Sequence, residues 1–243
     1  MIDNRSDSFD KRDTELIIKL CDRKFGIGAD GLILIENHPE CDFEMVYYNS
    51  DASQSLCGNG SRCAVDFAHK LGIISEQTLF MAIDGFHEAH ISGNLIHLKM
   101  TDVHQISQTG ADLFINTGSP HHIRFVPDIA QIDVYHEGQK IRYSDAYSNG
   151  GTNVNFVTLL EDNTIAIRTY ERGVEAETLS CGTGAVAVSL AAATKKFTSP
   201  VKLKTMGGEL QVSFKKIDDH NYEDIYLIGP AELVFTGSFK VKY

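Results

Sequence analysis

The chain has 243 residues, 42% of them apolar and 23% charged, an ordinary balance for a folded globular protein of one large or two small domains. A net charge of −11 argues against a nucleic-acid partner, whose phosphates call for clustered Lys and Arg, and equally disfavours an anionic membrane surface. No apolar run approaches the ~20 residues that span a bilayer, and the opening MIDNRSDSFDKRD is polar with no signal-peptide core, so a cytoplasmic protein is expected.

In chain order, residues 14–24 (TELIIKLCDRK) read as a helix with Asp13 as its N-cap. Residues 31–36 (GLILIE) and 43–48 (FEMVYY) read as strands, and 59–71 as a helix. Strands follow near 78–84, 87–91 and 95–100, then near 113–116 and 122–126, then over 153–160 and 164–170. A small-residue helix covers 184–196, and 201–243 reads as a β meander. Many short strands with two or three isolated helices predict an α+β fold and not a parallel βαβ array. The glycines at 26, 28 and 31 spell G-x-G-x-x-G, but a helix precedes them and a strand follows. A dinucleotide fingerprint needs the opposite order, so no nicotinamide or flavin site is predicted there.

The five cysteines, at positions 21, 41, 57, 63 and 181, form no C-x-x-C pair, and the ten histidines show no zinc-ligand spacing. No metal site is expected, and in a reducing compartment the cysteines are free thiols. Cys21 and Cys63 read as core, and Cys41 has no assigned role. The informative feature is an internal echo. Cys57-Gly58-Asn59-Gly60 opens one predicted helix, and Cys181-Gly182-Thr183-Gly184 opens another about half a chain later. A helix N-terminus favours a thiolate, and its unpaired N–H groups bind carboxylates. Glycines let a ligand approach the backbone. Two such thiols on opposite sides of a cleft could take a proton from one face of a carbon and return one to the other. From these residues alone the prediction is a two-thiol enzyme of unspecified substrate. A redox protein pairing Cys57 with Cys181 and a non-catalytic ligand binder stand as the other classes.

Five segments in order, FGIGADGLILIE, NSDASQSLCGNGSRC, NTGSPHH, GTNVNFV and YERGVEAETLSCGTGA, resemble the diaminopimelate epimerase family across nearly the whole chain. The resemblance implies two pseudo-symmetric domains, each a curled β-sheet or barrel around a central helix, with the active site in the interdomain cleft. The expected divisions are 1–107, 108–230 and a final strand over 231–243 that packs back on the first domain. It implies a cofactor-independent epimerase that interconverts L,L- and meso-diaminopimelate, in lysine and peptidoglycan precursor synthesis, and forms a homodimer. Cys57 and Cys181 become the acid/base pair. The backbones of Gly58, Asn59, Gly182 and Thr183 hold the reacting carboxylate. Glu171 and Arg172 bind the substrate's ammonium and carboxylate groups, Asn49 and Asn153 the distal amino-acid end, and His121 lies near the site.

Departures from the family pattern set further expectations. The first family strand and its G-N-D-F segment are expected to be absent, since Met1 directly precedes Ile2-Asp3-Asn4-Arg5. Ser119 stands where the family often has a carboxamide, and is kept as a substrate contact. Ala52 stands where glycine is frequent, in a loop one residue shorter than the common pattern, which bears on Asn49. An amino-acid racemase of the proline-racemase type and an inactive, N-terminally truncated homologue are the alternatives.

Overall fold

The computed structural model describes residues 1–240. The chain divides into two compact units, one formed by 1–98 with the described residues from Pro230 onward and the other by 99–229.

In the first unit, β1 (Ile2–Asp3), β2 (Gly31–Glu36), β3 (Phe43–Asn49), β4 (Gln77–Ala82), β5 (Gly85–Ser92) and β6 (Leu95–Lys99) lie side by side in chain order. The β1–β2 and β3–β4 pairs are parallel and the others antiparallel. Helix α1 (Thr14–Cys21) starts where Asp13 accepts the Leu16 N–H, the predicted cap. Alternation along β2 and β3 sorts their side chains. Leu32, Leu34, Val46 and Tyr48 pack with Ile17, Leu20 and Cys21 of α1, and Phe239 joins this cluster. Ile33 and Tyr47, of opposite parity, lie against the start of α2 (Gly58–Lys70). The glycine-rich FGIGADG segment caps the C-terminus of α1: Ile27 and Gly28 donate to the Leu20 carbonyl and Ala29 to that of Cys21. Gly28, at φ 86°, takes the left-handed conformation that this wrap requires.

In the second unit the strands run β7 (Ile106–Thr109), β8 (Asp112–Asn116), β9 (Pro120–Phe125), β10 (Asn153–Leu159), β11 (Thr164–Glu171), β13 (Val201–Thr205), β14 (Gly208–Lys216) and β15 (Tyr222–Pro230). The short β12 (Ala176–Thr178) pairs with β11. The β9–β10 and β11–β13 pairs are parallel and the remaining ones antiparallel. Helix α4 (Gly182–Ala193) contacts β8, β9, β10, β11, β13 and β14, so an open sheet curls around it. Eleven of its residues are buried, the pattern of a helix with no solvent face. The other face of β10 and β11 is covered by α3 (Val134–Arg142), through Val154, Phe156 and Tyr170.

The mixed sheets and isolated helices make the α+β architecture predicted above. The meander expected over 201–243 ends at Pro230, and residues 231–240 carry no strand. The last three residues of the strand expected at 231–243 lie outside the described residues. Helix α3 was not predicted. Among the described residues no helix is long and apolar enough to cross a membrane.

Candidate active site

Cys57 is the N-cap of α2, in extended backbone at φ −130° and ψ 111°, and its sulfur accepts the Gly60 N–H at 3.3 Å. A Cβ on Gly60 would lie 3.3 Å from the Cys57 Cβ and 3.3 Å from the Tyr47 ring. The second glycine of the motif therefore makes room for the cysteine's own side chain, a role the sequence reading gave to ligand approach. The Tyr47 hydroxyl hydrogen-bonds this sulfur, and burial, then the Cys57 charge, push the phenol well above its ordinary range. Asn59 accepts from the buried Arg62 guanidinium at 3.0 Å. Burial pulls Arg62 down, against the opposing pull of Cys63 and Cys57.

Asn49 ends β3, with its carboxamide engaged in its own loop. It donates to the Ser53 carbonyl at 3.2 Å and to the hydroxyls of Ser53 and Ser55 at 3.0 and 3.1 Å. Ala52 in this loop sits at φ 65°, where glycine would be unstrained.

In the second unit one face of β9, β10 and β11 carries the polar residues. Register sets Asn153 opposite His121 and Asn155 opposite Thr169. Alternation sends His121, Asn153, Asn155, Thr169 and Glu171 to the same side, toward the start of α4. Cys181 is the N-cap of α4, buried, at φ −117° and ψ 115°. A Cβ on Gly184 would come within 2.8 Å of the Asn155 carboxamide oxygen, 3.3 Å of the Cys181 Cβ and 3.4 Å of its sulfur. The echo thus extends to the packing of each second glycine beneath its own cysteine.

Cys181 meets the Thr183 hydroxyl at 3.5 Å and hydrogen-bonds Glu171. Burial raises the Glu171 pKa, while hydrogen bonds from the Thr178 hydroxyl, at 2.6 Å, and from Cys181 act in the opposite direction. His121 is fully buried, with Nε2 2.9 Å from the Thr183 hydroxyl. Burial, then the Arg172 charge, depress its pKa to about 3, so the ring is neutral. The Thr117 hydroxyl donates to the Thr183 carbonyl at 2.9 Å. Ser119, Asn153 and Arg172 converge: Asn153 Nδ2 donates to Ser119 Oγ at 3.1 Å, Asn153 Oδ1 accepts the Arg172 N–H at 2.9 Å, and Arg172 Nη2 lies 3.5 Å from Ser119 Oγ.

This site lies within a sequence that matches the family model for diaminopimelate epimerase over residues 1–105 and 113–234. The chain belongs to the diaminopimelate epimerase family. It is 53% identical to the diaminopimelate epimerase of Flavobacterium psychrophilum, with 97% of this chain and 93% of that one covered. It is 42% identical to that of Chlorobaculum tepidum over 98% of this chain and 95% of the other. Among solved structures it is similar to a PhzF-family phenazine biosynthesis protein of Bacillus anthracis, at TM-score 0.73 and 12% identity, covering 94% of this chain and 88% of that one. A probable proline racemase from Agrobacterium radiobacter K84 aligns at TM-score 0.59 and 16% identity, over 88% and 77% of the two chains. At such identities these two likenesses concern the fold.

The second unit of this family member gathers eight of the predicted site residues, Ser119, His121, Asn153, Glu171, Arg172, Cys181, Gly182 and Thr183, around one helix start. In the first unit Cys57, Gly58 and Asn59 form the start of α2, and Asn49 is held by its loop. Sequence reasoning missed Tyr47, Asn155, Thr169 and Thr178. The available signal was parity: Tyr47 shares a strand face with Ile33, and Asn155 and Thr169 share one with Asn153 and Glu171.

Proposed function

We propose that Cys57 and Cys181 are the acid/base pair of an isomerase that interconverts L,L-2,6-diaminopimelate and meso-diaminopimelate. One thiolate takes the α-proton and becomes a thiol. The other thiol gives its proton to the opposite face of the same carbon and becomes the thiolate, so each turnover leaves the pair exchanged. The observation that carries the reading is the duplicated helix start. Each C-G-x-G motif caps a helix with its cysteine and seats the side chain against its own second glycine.

The first-turn N–H groups at Gly58, Asn59, Gly182 and Thr183 suit the substrate carboxylate, on which negative charge grows as the carbanion forms. Glu171 takes the substrate ammonium. A half-buried carboxylate that resists ionisation is stabilised as an anion when that cation arrives. Arg172, Ser119 and Asn153 suit a carboxylate-bearing group, as does Asn49 if its loop hydrogen bonds exchange for substrate. The resemblance supports a homodimer, which light scattering of the purified protein tests. Five free cysteines suit a reducing cytoplasm.

Proton NMR of L,L-diaminopimelate with reduced protein in D₂O tests the activity. The expected result is loss of the α-proton signal and growth of the meso isomer. Cys57→Ser and Cys181→Ser should each lower turnover by about 10²–10⁴ or more. Wild-type turnover in either variant sinks the two-thiol assignment.

A further inference from the structure

We propose that Asn155 is a positioning residue for Cys181: its carboxamide sets the tautomer of His121 and thereby aims the Thr183 hydroxyl at the Cys181 sulfur. The proposal rests on Cys181 being one of the reacting thiols.

Asn155 is fully buried on β10, and its Nδ2 lies 3.0 Å from the His122 carbonyl oxygen. A carbonyl only accepts, so the amide nitrogen must face it. The same nitrogen lies 3.1 Å from His121 Nδ1. On the other side, Asn155 Oδ1 accepts the Thr169 hydroxyl at 2.9 Å. A flipped amide would set its oxygen against the His122 carbonyl, so the orientation is determined at both ends.

From there the direction of each hydrogen bond follows. His121 Nδ1 faces a donor and must be the acceptor. A neutral imidazole then carries its proton on Nε2. That N–H donates to Thr183 Oγ1 at 2.9 Å, which leaves the single hydroxyl hydrogen of Thr183 to point elsewhere. Cys181 Sγ stands 3.5 Å from that oxygen. The Cys181 S–H is given to Glu171, so on its Thr183 side the sulfur accepts, and this favours its charged form. The Glu171 carboxylate, which accepts from the thiol, acts in the opposite direction. Arg172 reaches His121 through its charge.

The test reads His121 and Cys181 directly and needs no substrate, so it stands or falls separately from turnover of diaminopimelate. In ¹⁵N NMR of histidine-labelled protein, with His121 assigned by its absence in His121→Gln, the expected signals are a protonated Nε2 and a bare Nδ1. A proton on Nδ1 in the wild type overturns the proposal without any variant. In Asn155→Asp the donor is gone, and the His121 proton should move to Nδ1. Iodoacetamide labelling across pH 6–9, followed by peptide mass spectrometry, then compares Cys181 with Cys57 in the same molecules. Cys181 should react about tenfold more slowly relative to Cys57, the equivalent of ~1.4 kcal/mol. Thr183→Val should give the same loss at Cys181 with the wild-type His121 tautomer, and Thr183→Ser should restore the rate. An unchanged Cys181-to-Cys57 ratio in Thr183→Val overturns the proposal, whatever the fate of Asn155→Asp.

Discussion

Cys57 and Cys181 were legible as residues because the motif is repeated, and a repeated Cys-Gly-x-Gly is hard to produce by packing needs alone. Their immediate partners were not legible. Tyr47 is an ordinary strand aromatic in the sequence, and only register places its hydroxyl on the Cys57 sulfur. His121 was named from the family resemblance, and its burial gives it a measurable consequence. Its folded pKa of about 3 lies below the ordinary 6.5. The unfolded chain therefore binds a proton that the folded one refuses. The contribution to stability is fully present above about pH 6.5 and is lost progressively as pH falls toward 3. Urea unfolding measured stepwise from pH 7 to pH 4 should show falling stability, with a shallower slope in His121→Gln. Equal slopes in the two proteins would place the acid sensitivity elsewhere.

Among the elements, the strands with clear alternation were read within two residues of their bounds, and α1, α2 and α4 within three. Helix α3 escaped notice because VYHEGQKIR has no broad apolar stripe and carries Gly138 at its centre. The structure explains the glycine. A Cβ there would lie 2.4 Å from the Tyr170 Cβ and 2.6 Å from its ring. The helix matters to the site because Arg142 and Tyr143 near its end both bond Glu175, at 2.9 and 2.8 Å. Glu175 in turn accepts the Gly173 N–H at 2.9 Å and so holds the turn that follows Arg172. Arg142 accordingly keeps the Glu175 carboxyl down at about 2. Gly138→Ala sets two effects against each other. Helix propensity favours alanine by about 1 kcal/mol, while overpacking a filled site costs about 1–3 kcal/mol. A contact this short, against a fully buried tyrosine, lets the second effect win. Denaturant titration should show a net loss of stability, and a gain would mean that α3 can move off β11 freely.

On the scale of the molecule, the two units use the same plan with unequal burial. Helix α4 buries eleven residues, whereas α2 buries six and carries Asp66, His69 and Lys70 on its outer side. Local opening is harder where more apolar surface must be exposed. Amide hydrogen exchange at neutral pH should therefore be slower in α4 than in α2, and comparable rates would contradict this difference. The plan itself was only half legible. The echo of motifs pointed to two similar units, but the pairing of β9 with β10 and of β11 with β13 joins strands far apart in sequence. Nothing local in those segments specifies such partners.

The parity of β10 and β11 also decides which kinds of genetic change this protein tolerates. The odd positions Asn153, Asn155, Thr169 and Glu171 serve the site, other odd positions such as Val157 and Ile167 the core around α4, and even positions, such as Val154, Phe156 and Tyr170, the α3 cluster. A substitution disturbs one position of one class. A single codon gained or lost inside either strand exchanges the two classes from that point onward, placing valine and phenylalanine beside the thiol and asparagine beneath the helix. Variation by length belongs in the turns, such as 160–163 between these strands, and lineages of this enzyme should differ there by insertion while the strands differ only by replacement.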